Sequence, residues 1–85
     1  MDILQKAMQN PNFVWKCNYH DYISLKGKNS HGFYTVKMHG LKNDNYDVVY
    51  YQMRDYTKLI ALIEQWEGAN YYEFLCEMYQ EEQKN

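Results

Sequence analysis

His20, Asp21 and Tyr22 follow one another, and an imidazole, a carboxylate and a phenol are the groups that general acid–base catalysis uses. Consecutive residues on a strand or in a turn point in different directions, so the three do not converge on one substrate atom. They read as a turn. Cys17 is the other candidate nucleophile, but it alternates with Phe13 and Trp15 and is expected in the core, where a thiol is inert. Three histidines (His20, His31, His39) and two cysteines (Cys17, Cys76) share no ligand spacing, so neither a metal nor another cofactor is expected. The two cysteines lie far apart without a second pair and read as thiols rather than a disulfide framework. None of the GxSxG, HExxH, P-loop or dinucleotide-binding glycine patterns occurs. Gly27, Gly32, Gly40 and Gly68 fall where turns are expected. The expectation is a protein that is not an enzyme.

Charge offers more than chemistry. Residues 1–42 carry six lysines against Asp2 and Asp21, a balance of +4, and residues 43–85 carry three cations against nine carboxylates, a balance of −6. The net charge of −2 therefore hides a polarised chain. Ten tyrosines add large, stiff, amphipathic side chains of the kind favoured at contacts with partners, although an AT-rich coding sequence would also enrich tyrosine.

Two surfaces follow from that split. Lys16, Lys26, Lys28 and Lys37, interleaved with Trp15, Tyr22, Phe33 and Tyr34, form a sheet face able to stack bases and neutralise phosphate. Glu73, Glu77, Glu81 and Glu82 make an acidic ridge on the last helix, joined by Asp44, Asp47 and Asp55. Carboxylates at such spacing imitate phosphates and suit a basic groove on a partner.

The elements that position these surfaces follow from periodicity. Asp2 caps a short helix carrying Ile3, Leu4, Ala7 and Met8, which Asn10-Pro11 ends. Residues 13–19 alternate with period two, and residues 22–26 return as a second strand with Ile23 and Leu25 inward. Residues 27–32 form a polar loop. A third strand over 33–39 sets Tyr34, Val36 and Met38 on one face; residues 40–45 form another loop, and residues 46–53 make the fourth strand. Asp55 or Thr57 caps a helix with Leu59, Ile60, Ile63 and Trp66 on its buried side, and Gly68 ends it. Asn70 with Glu73 forms a capping box for a last helix, whose stripe is Tyr71, Phe74, Leu75 and Met78. The fold class is α+β: a short N-terminal helix, a three- to four-stranded antiparallel sheet and two C-terminal helices packed on one face. With no repeat or linker, residues 1–85 form a single domain. The opening MDILQKAMQNP lacks a basic stretch followed by an apolar run, and no segment is long enough to span a bilayer, so a cytoplasmic location is expected.

In order of elements the chain resembles the small acidic type II-A anti-CRISPR proteins of phages. The stretches that carry the resemblance are MDILQKAMQNPNF, residues 46–53, TKLIALIEQWEG and NYYEFLCEMYQEE. It implies a phage or mobile-element protein that inhibits a host CRISPR nuclease by acidic mimicry of DNA. The α-β-β-β-α order also resembles the double-stranded-RNA-binding domain, but the basic cluster of that family's last helix is replaced here by Asp55, Lys58 and Glu64.

The expected function is a phage or mobile-element factor that inhibits or modulates a host protein with a basic nucleic-acid groove. Asp44, Asp47, Tyr72, Glu73, Glu77 and Glu81 would form its contact surface. The second expectation is an RNA- or DNA-binding module using Lys16, Lys26, Lys28 and Lys37. The third is a homodimer in which the basic half of one copy meets the acidic half of another.

Overall fold

A computed structural model describes residues 2–19, 21–42 and 45–84. The element order is helix α1 (Ile3–Ala7), strands β1 (Val14–Tyr19), β2 (Asp21–Lys26), β3 (Tyr34–Lys42) and β4 (Asn45–Met53), then helices α2 (Tyr56–Glu67) and α3 (Tyr71–Gln83). The strands form one antiparallel sheet in the order β1-β2-β3-β4. This is the expected α+β fold. All three helices pack on one side: α2 lies against β3 and β4, and α3 against β1, α1 and α2.

The pleat explains which side is covered. Trp15, Cys17, Ile23, Leu25, Val36 and Met38 occupy alternate positions and are buried beneath Leu4, Met8, Leu59, Ile63 and Leu75 of the helices. The intervening residues Val14, Lys16, Asn18, Tyr22, Ser24, Lys26, Thr35, Lys37, His39, Val48, Tyr50 and Gln52 face away from the helices, and nothing in the described chain covers them. Each side of the sheet is thus decided by parity, because a one-residue shift would exchange the two faces.

Several local features depart from expectation. The ladder between β3 and β4 continues past the third strand's expected end, through Gly40↔Asp47 and Leu41↔Tyr46 to Lys42↔Asn45, so most of the polar loop over residues 40–45 is strand. Pairing to a neighbour outweighs the low strand preference of Gly, Lys and Asn. Asn70 does not cap α3: it adopts a left-handed conformation (φ 68°) with no side-chain capping bond. A capping residue needs extended geometry, whereas the short turn from α2 to α3 reverses the chain through positive φ at Gly68 (φ 110°) and Asn70. The Glu64 carboxylate accepts the Asn70 amide at 3.0 Å instead. Asp55 does cap α2, accepting from the amides of Thr57 and Lys58. Trp66 is 41% exposed rather than buried, bordering an open depression with Tyr51 of the edge strand and Leu62.

Gly27 serves for more than a turn. Its amide donates to the Phe13 carbonyl at 2.9 Å, and the next amide, of Lys28, donates to the Met8 carbonyl at 2.8 Å. The chain beyond β2 is sewn to the segment after α1 so closely that a Cβ at Gly27 would lie 1.8 Å from the Asn10 carbonyl oxygen. Only glycine permits that approach.

Candidate functional site: the open face of the sheet

Strand register arranges the uncovered face in rows. One row runs Val14, Lys26, Thr35, Gln52, and the next runs Lys16, Ser24, Lys37, Tyr50. The third runs Asn18, Tyr22, His39, Val48. Lys16, Lys26 and Lys37 are exposed, and no carboxylate stands in any of these rows. Lys16 and Lys37 flank Ser24 from opposite strands, two strand spacings or about 10 Å apart, and Lys26 sits in the adjacent row.

Long side chains around short ones make a hollow. Ser24 and Thr35 are buried although no helix lies over them, because Lys16, Lys26, Lys37, Tyr22 and Tyr50 rise around them. The resulting depression is about 220 Å³ and includes His39 in its wall. Its floor offers two hydroxyls and its walls offer cations and rings. Tyr22 and His39 stack across β2 and β3, with ring centroids 3.9 Å apart and 15° between planes. The Lys16 ammonium stands 5.8 Å from the Tyr22 ring, a cation–π distance. Partial burial, then the charges of Lys37 and Lys16, push the His39 imidazole below its ordinary pKa, favouring its neutral form. Tyr50 is 56% exposed and leaves most of its ring open.

The structure separates the residues expected here. Lys16, Lys26 and Lys37 come together, whereas Lys28 does not line the depression; its ammonium stands 5.9 Å from the ring of Tyr34. Of the interleaved aromatics only Tyr22 is on this face. Trp15 and Tyr34 are buried under the helices, and Phe33 lies beneath the Arg54 guanidinium, 4.7 Å from its ring centroid. His39 and Tyr50 take their place, and the alternation of Thr35, Lys37 and His39 against Tyr34, Val36 and Met38 carries the signal for the first of them.

The acidic residues sit on the far side. Glu73, Glu77 and Glu81 are exposed along α3, and Glu81 pairs with Lys84 at 3.4 Å. Glu82 leaves the ridge, because its carboxylate accepts the indole N–H of Trp15 and ties α3 to β1. Tyr72 is not an exposed contact residue. It is half-buried, its hydroxyl donates to both carboxylate oxygens of Asp2 at 2.9 Å, and it lies 2.7 Å from the Tyr56 hydroxyl. With its one proton committed to Asp2, Tyr72 accepts from Tyr56, and burial pushes the pKa of both phenols well above the ordinary value. This chain of bonds latches α1, α2 and α3 together. Asp44 lies outside the described residues, and Asp47 is placed only by its backbone pairing with Gly40.

Cys17 and Cys76 are free thiols, raised in pKa chiefly by burial. Among the described residues no helix is long and apolar enough to cross a membrane. No protein-family model matches this chain, and neither the curated proteins nor the solved structures yield a match to it.

Proposed function

We propose that this chain is a small binding protein whose open sheet face engages single-stranded nucleic acid. One observation carries the reading: three lysines share an uncovered face with exposed Tyr50 and no carboxylate in its described rows. Phosphates would lie over Lys16, Lys26 and Lys37, with the Ser24 and Thr35 hydroxyls as further donors at the floor. A base would stack on Tyr50. An open sheet face suits a splayed strand better than a duplex, whose major groove admits a protruding helix or ribbon. Fluorescence anisotropy with labelled single-stranded and duplex oligonucleotides tests this. Binding of the single strand at micromolar protein, weakening as salt rises, is expected; absence of salt-sensitive binding overturns the reading.

The exposed line of Glu73, Glu77 and Glu81 favours a second reading. Three carboxylates at one-turn spacing, about 6 Å of rise apart, offer a basic groove a phosphate-like row. On this reading the chain is a phage or mobile-element factor that blocks a host nucleic-acid enzyme, a CRISPR nuclease being the case that the anti-CRISPR resemblance points to. Reversing all three charges leaves the fold intact and abolishes capture of such an enzyme; unchanged capture removes this reading.

A further inference from the structure

We infer that two copies of this chain join through strand β4, edge to edge and antiparallel, about a two-fold axis near Tyr50. The two edges of the sheet differ in the protection that edge strands ordinarily carry. β1 is six residues long, has Lys16 within it and Pro11 just before it, and its Trp15 is held under α3 by Tyr79 and Glu82. β4 is nine residues long, pairs with β3 in unbroken register, and among the described residues has no strand on its other side. Between Asn45 and Met53 there is no lysine, arginine or proline. About 30 Å of backbone donors and acceptors therefore lies along an edge whose one charged residue is Asp47, near its start.

Charge selects this edge for self-association. In a two-fold contact a patch centred on the axis meets its own copy, so the lysine face or the glutamate ridge placed there would repel itself. The described side chains of β4 are neutral. An axis at Tyr50 also sets Asp47 opposite Met53 of the second copy rather than opposite its twin. A standard interface buries about 800 Å² on each partner, more than a strand ladder alone supplies, so apolar surface is needed beside it. Val48 and Tyr50, 50% and 56% exposed, flank the edge on the open side. On the helix side Tyr51, Leu62 and Trp66 border a depression of about 350 Å³. The pairing extends the sheet across both copies, with both lysine faces on one side and all helices on the other. It does not depend on what the lysine face binds.

Sedimentation equilibrium on the full chain, across protein concentrations and at low and high salt, tests the inference. The wild type reaches twice the 10.4 kDa chain mass and holds it as salt rises. Tyr50→Lys and Trp66→Gln, both at exposed positions, shift the population to monomer, while Val14→Lys on the other edge does not. Hydrogen exchange of β4 amides slows with protein concentration in the wild type and in Val14→Lys, but not in Tyr50→Lys or Trp66→Gln. A monomer at about 100 μM, a dimer unaffected by Tyr50→Lys, or one that salt dissolves, as contact between basic and acidic faces requires, overturns it.

Discussion

Neutralising the open face one lysine at a time yields a number that the geometry fixes in advance. Each phosphate held by a lysine releases counterions, and for single strands the slope of log K against log salt is about −0.7 per phosphate contact. Three lysines line the depression, so the wild type should show a slope of about −2 and lose about 20-fold in affinity between about 50 and 200 mM salt. Lys16→Gln, Lys26→Gln and Lys37→Gln each leave two contacts, a slope of about −1.4 and about a 7-fold loss over the same range. All three side chains are exposed, so stability should change by no more than about 0.5 kcal/mol. Lys28→Gln is the internal control, because Lys28 stands by Tyr34 and not in the depression. The assay is anisotropy of a labelled single strand at several salt concentrations, with urea unfolding to confirm each variant's fold. An equal slope for all four variants and the wild type, or a loss for Lys28→Gln as large as for Lys37→Gln, refutes the placement of phosphates over Ser24 and Thr35.

Three further outcomes follow from particular contacts. Gly27→Ala should cost more than about 3 kcal/mol in urea unfolding, since its Cβ would strike the Asn10 carbonyl oxygen at 1.8 Å, whereas Gly68→Ala, with nothing within 4 Å, should cost only about 1–3 kcal/mol, for a backbone conformation (φ 110°, ψ 163°) that is nearly restricted to glycine. Tyr72→Phe should cost about 1–2 kcal/mol by cutting the bonds to Tyr56 and Asp2, and in a double-mutant cycle Asp2→Ala should then cost less than it does in the wild type. His39 has its pKa lowered by partial burial and by Lys37 and Lys16, so it is neutral at pH 7; a bound phosphate favours the imidazolium, so affinity should rise from about pH 7.5 to about pH 5.5, and the rise should be smaller in His39→Gln.

Local pattern was enough for the element order and for the parity of the strands. Trp15, Cys17, Ile23 and Leu25 alternate, and so do Val36 and Met38, which sets the covered face without any knowledge of the helices. From that parity Lys16, Lys26 and Lys37 fall together on the other face. What pattern could not show were contacts between residues distant in sequence. The Glu82 carboxylate reads as one more acid on a solvated helix until β1 brings Trp15 to it, a pairing across 67 residues. Tyr72 reads as an exposed aromatic until Asp2 arrives from the other end of the chain. Trp66 has the spacing of a buried residue, yet it stands beside Tyr51 of the edge strand and stays 41% exposed. Asn70 carries a capping side chain, yet backbone geometry in a tight reversal decided its role.

A lysine on the open side of a half-covered sheet is not by itself a sign of function. The meander followed by helices obliges one face to be buried, and a lysine shifted by one residue would place its ammonium under α2 or α3, at a cost of several kcal/mol. Folding alone would therefore hold Lys16, Lys26 and Lys37 where they are. Folding does not explain why carboxylates are missing from the described rows of that face, since glutamate or aspartate would be solvated there equally well and an ordinary surface intersperses both signs. Four acids, Glu73, Glu77, Glu81 and Glu82, stand instead on α3, and the covered sheet lies between them and the lysines. Segregation of sign across a sheet leaves stability unimproved, because like charges on each face repel. A partner that carries the opposite charge in a row removes that repulsion, which is why the salt slope, more than the affinity itself, separates a working face from a merely solvated one.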